Sequence, residues 1–102
     1  MNRIKKLTEV VREFDEIQKE YENKKREAQQ LIYSSVLDFI SDCKVFPFLG
    51  FRLRVGQEGR LMIFSKNSSH CASEEEIFKL FMRNPYFKEE VIKHSTILST
   101  QV

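Results

Sequence analysis

Two cysteines and two histidines are the side chains of this sequence best suited to bind a metal ion or to act as nucleophile and base: Cys43, His70, Cys71 and His94. A zinc site needs about four such ligands, and closely spaced pairs such as CxxC or HxxxH usually supply them. Neither spacing occurs here. His70 and Cys71 are neighbours, an arrangement that rarely brings a nucleophile and its base into hydrogen-bonding geometry. We therefore predict small, buried or half-buried thiols and no metal site.

Other patterns typical of enzymes are missing from the sequence. Gly50, Gly56 and Gly59 are its only glycines, and they fall at predicted turns rather than in a phosphate-binding loop. Asp38 and Asp42 lie one helical turn apart, a spacing that ordinary amphipathic helices share. We predict a protein that is not an enzyme, with no catalytic residue and no cofactor.

Arginines on a predicted hairpin could bind phosphate groups. Arg52 and Arg54 lie on the strand face opposite the core, and Arg60 lies beside the hairpin loop. Arginine suits phosphate recognition, and a two-stranded ribbon can enter the major groove of a nucleic acid. The alternative is a solvated strand face whose charges prevent aggregation. A basic run on the N-terminal helix adds candidate contacts, although nearby glutamates largely neutralise it: Lys24, Lys25 and Arg26.

Aromatic residues are concentrated at one predicted turn between a helix and a strand. Phe46, Phe48 and Phe51 fall within six residues. Such a cluster either fills the core of a small domain or forms an exposed surface on which a partner docks. Both interpretations stay open at the level of sequence, and the three rings are candidate docking residues.

The N-terminal segment has the pattern of a long, charged helix. No glycine or proline occurs from Met1 to Phe46, and residues 1–30 carry fifteen charges. Their few apolar side chains recur at intervals of three and four, which is typical of a coiled-coil stripe of about four heptads. We predict that this stripe is an oligomer or partner interface formed by Ile4, Leu7, Val11, Phe14, Ile17 and Tyr21.

A helix with one narrow apolar stripe cannot bury that stripe against itself. Residues 1–30 would span about 45 Å at 1.5 Å per residue. The stripe must therefore pack on its own body, on a second copy or on another protein. We predict a homo-oligomer or a helical protein partner, with intramolecular packing as the alternative. Three acid–base pairs spaced four residues apart favour the helix: Asp15 with Lys19, Glu20 with Lys24, and Glu22 with Arg26.

Residues 31–98 have the composition of a small folded body. The helix continues into it to about Asp42, because apolar residues cover most of its circumference beyond residue 30. Pro47 ends the helix, since proline lacks an N–H group and biases the preceding residue toward an extended conformation. The buried half of the helix is predicted to contain Leu31, Ile32, Tyr33, Val36, Leu37, Phe39 and Ile40.

A β-hairpin over residues 51–64 and two short helices complete the body. Gly59 suits the left-handed position of a three-residue loop that places Val55 opposite Leu61. Ser73 and Glu76 have the spacing of a capping box. The helices are predicted over 74–83 and 86–95, separated by the Asn84–Pro85 pair, with a polar loop over 66–72 and a frayed tail over 99–102.

These elements predict the α+β class: a long N-terminal helix whose outer half, residues 1–30, projects as a coiled-coil-like arm, then a β-hairpin and two short C-terminal helices. We expect a non-enzymatic protein–protein interaction or assembly module, acting as a subunit, adaptor or inhibitor. The alternative is a small, sequence-nonspecific nucleic-acid-binding protein that uses the hairpin arginines and the basic residues of the arm.

Length and composition limit the remaining classes. A chain of 102 residues with 41% hydrophobic residues has enough apolar material for one small core. Its net charge of +2 does not by itself indicate a nucleic-acid or membrane partner. No apolar run is long enough to cross a bilayer, and the first residues lack the apolar stretch of a signal peptide. We therefore expect a cytoplasmic protein without a membrane partner.

Overall fold

Three helices and one antiparallel sheet form the part of the protein that the structure describes. The structure is a computed structural model that describes the backbone of residues 2–100 and the side chains of residues 7–97. Its sheet has the strand order β1-β2-β3-β4, and all neighbouring strands are antiparallel. This confirms the predicted α+β class. In chain order the elements are α1 (Asn2–Cys43), β1 (Val45–Phe48), β2 (Phe51–Val55), β3 (Leu61–Ser65), β4 (Ser69–Cys71), α2 (Glu74–Arg83) and α3 (Pro85–Thr100).

Helix α1 runs without interruption for 42 residues. The helix ends at Cys43. The next residue, Lys44, takes a φ of 75°, in the left-handed region that glycine usually occupies after a helix. The Lys44 N–H donates to the Ile40 carbonyl at 2.7 Å, so the helical hydrogen-bond ladder closes before the chain turns into β1. The three acid–base pairs that favour the helix, Asp15 with Lys19, Glu20 with Lys24 and Glu22 with Arg26, do not close into ion pairs, since exposed charged side chains gain little from pairing in water.

The hairpin between β2 and β3 has the predicted register. Val55 pairs with Leu61, and the N–H of Gly56 donates to the carbonyl of Arg60 at 2.7 Å, which leaves a three-residue loop. Gly59 takes a φ of 76° in that loop, as predicted from its lack of a Cβ atom. The three-residue loop therefore keeps every apolar residue of one hairpin face on the side of the core.

Two edge strands were missed by the sequence prediction. β1 contains Pro47, which cannot donate a ladder hydrogen bond and is tolerated because β1 lies at the sheet edge. A turn at Leu49–Gly50 joins it to β2, with Gly50 at a φ of 90°. β4 lies within the segment predicted as loop, residues 66–72, and its three residues are all exposed. Short, polar edge strands give almost no periodic signal, which is why neither was predicted.

Helices α2 and α3 meet at the predicted Asn84–Pro85 boundary. Ser73 and Glu76 form the predicted capping box, with both hydrogen bonds at 3.1 Å. α3 begins one residue earlier than predicted, at Pro85, because proline suits the first helical position. It also continues beyond the predicted range of 86–95, to Thr100. α3 also includes the first two residues of the predicted frayed tail, 99–102, whose last two lie outside the described residues.

The core lies between the helices and one face of the sheet. Side chains from every helix meet there with β2 and β3, and the fully buried ones are Val36, Ile40, Leu53, Leu61, Ile77, Phe87 and Val91. Tyr33 adds a polar link, because its hydroxyl accepts a hydrogen bond at 3.1 Å from the N–H of Leu61. Leu31 is an exception to the predicted buried half of α1, since 69% of it is exposed.

The opposite face of the sheet, called the outer face below, is not covered by a helix in the described part of the chain. Its side chains alternate along each strand with those of the core, as the pleat requires. Two rows of partners cross it, one formed by Val45, Arg54, Met62 and Cys71 and the other by Pro47, Arg52, Phe64 and Ser69. No helix within the described residues contains a stretch long and apolar enough to span a bilayer.

Candidate interaction surfaces

The first half of α1 extends away from the body. Every described side chain from Leu7 to Lys24 is exposed, and the first half-buried one is Lys25. The ammonium of Lys25 lies 6.0 Å from the centre of the Phe78 ring of α2, which marks where the body begins. We call residues 7–24 the arm; at 1.5 Å per residue it is about 27 Å long.

The arm carries an apolar stripe that no described part of the chain covers. Its side chains are 50% to 64% exposed, and they are Leu7, Val10, Val11, Phe14, Ile17 and Tyr21. Five of these six are predicted interface residues, and Val10 joins them. The side chain of Ile4, the remaining predicted residue, lies outside the described residues. The intervals within Leu7, Val10, Phe14, Ile17 and Tyr21 are three and four residues in strict alternation, the heptad pattern of a helix that packs against another helix.

The aromatic residues near β1 form a half-buried cluster on the core side of the sheet. Phe46 and Phe48 both contact Phe87 of α3, with ring centres 5.0 and 5.1 Å away. Phe51 stacks on Phe48 at 4.7 Å. These contacts agree with the core interpretation of the three phenylalanines, although each ring keeps part of its surface in contact with solvent. Their use as a docking site stays a prediction.

The outer face of the sheet combines exposed arginines with partly exposed apolar side chains. Arg52 and Arg54 are exposed on β2, and Met62 and Phe64 are half-buried opposite them on β3. The Arg54 guanidinium lies over the Phe64 ring, 5.5 Å from its centre, at the distance of a cation–π contact. The cross-strand pairs of arginine with Met62 and with Phe64 are those predicted from the hairpin register.

Two grooves border the Phe64 side chain. One of about 480 Å³ lies toward the hairpin loop and includes Arg54, Arg60 and Glu58 in its lining. The other, of about 460 Å³, lies toward the Leu49–Gly50 turn, and its lining includes Arg52 and Lys66. Phe64 lines both grooves, and each contains basic side chains. The second groove also includes Phe48 and Phe51 of the core side, so it is not confined to the outer face.

The basic residues predicted to contact nucleic acid do not share one surface. Arg52, Arg54 and Arg60 belong to the outer face, whereas Lys25 contacts α2, which packs on the core side. The neighbouring residues Lys24 and Arg26 are exposed on the same helix. Sequence spacing alone could not reveal this separation, because it depends on which sheet face the helices cover.

The cysteines and histidines are spread over the fold. Cys71 lies on the outer face, and His70, the residue before it, lies on the core side, where its Nε2 is 3.0 Å from Glu76 Oε2. His94 Nε2 is 2.6 Å from Asp42 Oδ2, and this pair links α3 to the end of α1. Among the described side chains no three histidines, cysteines or carboxylates group as a metal site.

The Cys43 thiol is not activated as a nucleophile. Partial burial raises the pKa of the Cys43 thiol above its ordinary value of 9.0, although hydrogen bonds with backbone groups oppose the shift. A raised pKa lowers the fraction of thiolate, which is the nucleophilic form. Both cysteines are free and exposed, which corrects the predicted burial of the two thiols.

Comparison with known proteins returns no match: no family model, no curated protein and no solved structure is similar to this chain. Its function must therefore be inferred from its own surfaces.

Proposed function

We propose that the protein is a non-enzymatic assembly module that pairs through its arm with the arm of a second copy. The observation that carries this proposal is the exposure of the whole apolar stripe, 50% to 64% of each side chain, along a helix that leaves the body. Most of the stability of an amphipathic helix comes from packing its apolar face, so a partner would stabilise the arm.

The heptad spacing favours a helix as the partner. With Leu7, Phe14 and Tyr21 at a positions and Val10 and Ile17 at d positions, the side chains form the seam of a two-helix interface. A flat or irregular partner would not require that regular alternation. The pattern therefore supports pairing between two helices.

A second copy fits this seam in the antiparallel direction. In this arrangement Leu7 packs against Ile17 of the opposite copy, and Val10 packs against Phe14. These contacts bury most of the stripe within the length of the arm. The two bodies then lie at opposite ends of the pair and do not compete for space.

Replacing Leu7 and Phe14 together by glutamate tests the proposal. We expect the molar mass of the wild-type protein from light scattering to be twice that of its 12.2 kDa chain. The L7E/F14E variant should have the mass of one chain. Burying four carboxylates in the seam of a dimer would cost far more than the pairing provides. Static light scattering after size-exclusion chromatography measures both masses.

A matched control adds the same charge to the opposite side of the helix. Asn23 and Gln30 lie about 160–180° from Phe14 around the helix axis at 100° per residue, and N23E/Q30E should keep the wild-type mass. A wild-type mass of one chain at high concentration contradicts the proposal. So does an L7E/F14E variant that keeps the wild-type mass.

A further inference from the structure

The outer face of the sheet carries two grooves with basic linings, which pairing through the arm does not explain. Phe64 lies between two grooves of similar volume, about 480 and 460 Å³. Among the residues that line the two grooves, four are basic and one, Glu58, is acidic; the basic residues are Arg52, Arg54, Arg60 and Lys66. A ligand lying across both grooves would meet positive charge on each side of an aromatic ring.

The arginines of this face have no carboxylate partner among the described side chains. None of the ion pairs among the described side chains includes Arg52, Arg54 or Arg60. Structural arginines usually pair with carboxylates, so three of them without such a pair on one uncovered face favour an anionic ligand. Arg54 instead makes a cation–π contact with the Phe64 ring.

The aromatic ring narrows the class of anion. Bases of a single strand stack on aromatic rings and on guanidinium planes, while arginine and lysine bind the phosphates between them. An acidic peptide would use the cations but would gain nothing specific from the ring. Duplex nucleic acid hides its base faces, and a hairpin entering its major groove would present Glu58, which repels phosphate, at its loop.

We propose that the outer face of the sheet binds single-stranded nucleic acid, with a base stacked on the Phe64–Arg54 pair and phosphates held by Arg52 and Arg60. Lys66 extends the basic path past the edge of the ring. The strand would cross β2 and β3 rather than insert the hairpin into a groove. This function does not depend on pairing through the arm, because the apolar stripe and the two grooves share no residue.

Fluorescence anisotropy with labelled twelve-nucleotide oligo-dT and oligo-U tests the proposal on the full-length protein. We expect binding of at least one of the two at 50 mM NaCl, and weaker binding as the salt concentration rises. Each phosphate contact adds about 0.7 to the slope of log K against log salt for single strands. A twelve-base-pair duplex and a polyglutamate peptide are expected to bind at least tenfold more weakly.

Three variants locate the site. R52A/R54A removes one phosphate contact and the guanidinium of the stacking pair; it should weaken binding at least tenfold and reduce the salt slope by about 0.7. F64L keeps an apolar side chain but removes the stacking face, and should weaken binding about tenfold. K24A/R26A removes the same charge from α1 and should stay within twofold of the wild type. Circular dichroism spectra and thermal midpoints establish that each variant is folded.

The proposal is overturned if neither oligonucleotide binds at low salt. It is also overturned if R52A/R54A, once shown to be folded, binds within twofold of the wild type, or if the duplex or polyglutamate binds as tightly as the single strands. Should F64L not fold, chemical-shift changes in the wild type decide: shifts confined to the outer face support the site, and shifts confined to the helices contradict it.

Discussion

Glu76 shows how much one side chain contributes to positioning the elements of the body. Its Oε1 accepts a hydrogen bond at 3.1 Å from the N–H of Ser73, and its Oε2 lies 3.0 Å from His70 Nε2. One carboxylate thereby connects the start of α2 to β4. Two hydrogen bonds lower the pKa of Glu76 below its usual value of 4.5. The bond with His70 has the larger effect, and the bond from the Ser73 backbone has the smaller one.

This shift predicts a pH dependence of stability. A pKa lowered by folding stabilises the protein above the unfolded-state pKa, and that stabilisation is lost as the pH falls through the folded-state pKa. We expect Glu76→Gln to lower the free energy of unfolding by about 0.5–1 kcal/mol at pH 7, because the amide keeps the cap but loses the charge. The difference from wild type should shrink as the pH falls below 4.5.

Urea denaturation monitored by circular dichroism between pH 7 and pH 3 measures this difference. Glu74→Gln is the matched control, since Glu74 is an exposed first-turn carboxylate for which the structure gives no hydrogen bond. It should show a smaller difference from wild type at every pH. An equal loss in the two variants would mean that the general helix charge, and not the Glu76 contacts, is responsible.

At the scale of elements, α1 performs two different tasks along one continuous helix. Its outer part is exposed from Leu7 to Lys24, and its inner part places Val36 and Ile40 in the core. The Tyr33 hydroxyl accepts the N–H of Leu61 at 3.1 Å and so connects this helix to the start of β3. The inner half of α1 therefore orients the sheet whose outer face carries the arginines.

Removing the Tyr33 hydroxyl should weaken that connection. We expect Tyr33→Phe to reduce the free energy of unfolding by about 1 kcal/mol, because the Leu61 N–H would lose its acceptor in a partly buried site. The thermal midpoint should fall by about 4–8 °C. Tyr86→Phe is the control, since Tyr86 lies outside the arm, is 68% exposed and has its hydroxyl 3.5 Å from Glu90 Oε1; it should change the midpoint little. Equal midpoints for the two variants would contradict a structural role of this bond.

At the scale of the whole molecule, the shape is dominated by the single long helix. The described chain measures 63 × 40 × 25 Å, and a helix of 42 residues accounts for the longest dimension. One end is a charged rod with an apolar stripe, and the other is a body with an uncovered basic sheet face. The two proposed surfaces lie on different parts of the molecule, so one protein could assemble through the first and bind a ligand through the second.

Assembly through the arm predicts a concentration-dependent stability. Because only folded chains pair, mass action should raise the thermal midpoint when the protein concentration increases a hundredfold. The L7E/F14E variant should keep one midpoint over the same range. Differential scanning calorimetry at matched concentrations checks both expectations. A midpoint that rises equally in the variant would point to association through some other surface.

Local patterns in the sequence determined the long helix, the hairpin register, the left-handed Gly59 and the capping box of α2. Each depends on residues close together in the chain, so periodicity and turn chemistry suffice to predict it. The exposed stripe of the arm also follows from heptad spacing, except that Val10 belongs to it and Leu31 is exposed beyond it.

Only the tertiary structure decided which surfaces stay uncovered. The edge strands β1 and β4 form because β2 and β3 offer them hydrogen-bonding partners, which their own short and polar sequences do not reveal. Packing of all three helices on one sheet face left the arginines and Phe64 together on the other, away from the basic residues of the arm. The hairpin register already predicts that Arg52, Arg54 and Phe64 share one face. Which face the helices cover depends on contacts between residues distant in sequence, so no local pattern could predict that this face stays uncovered.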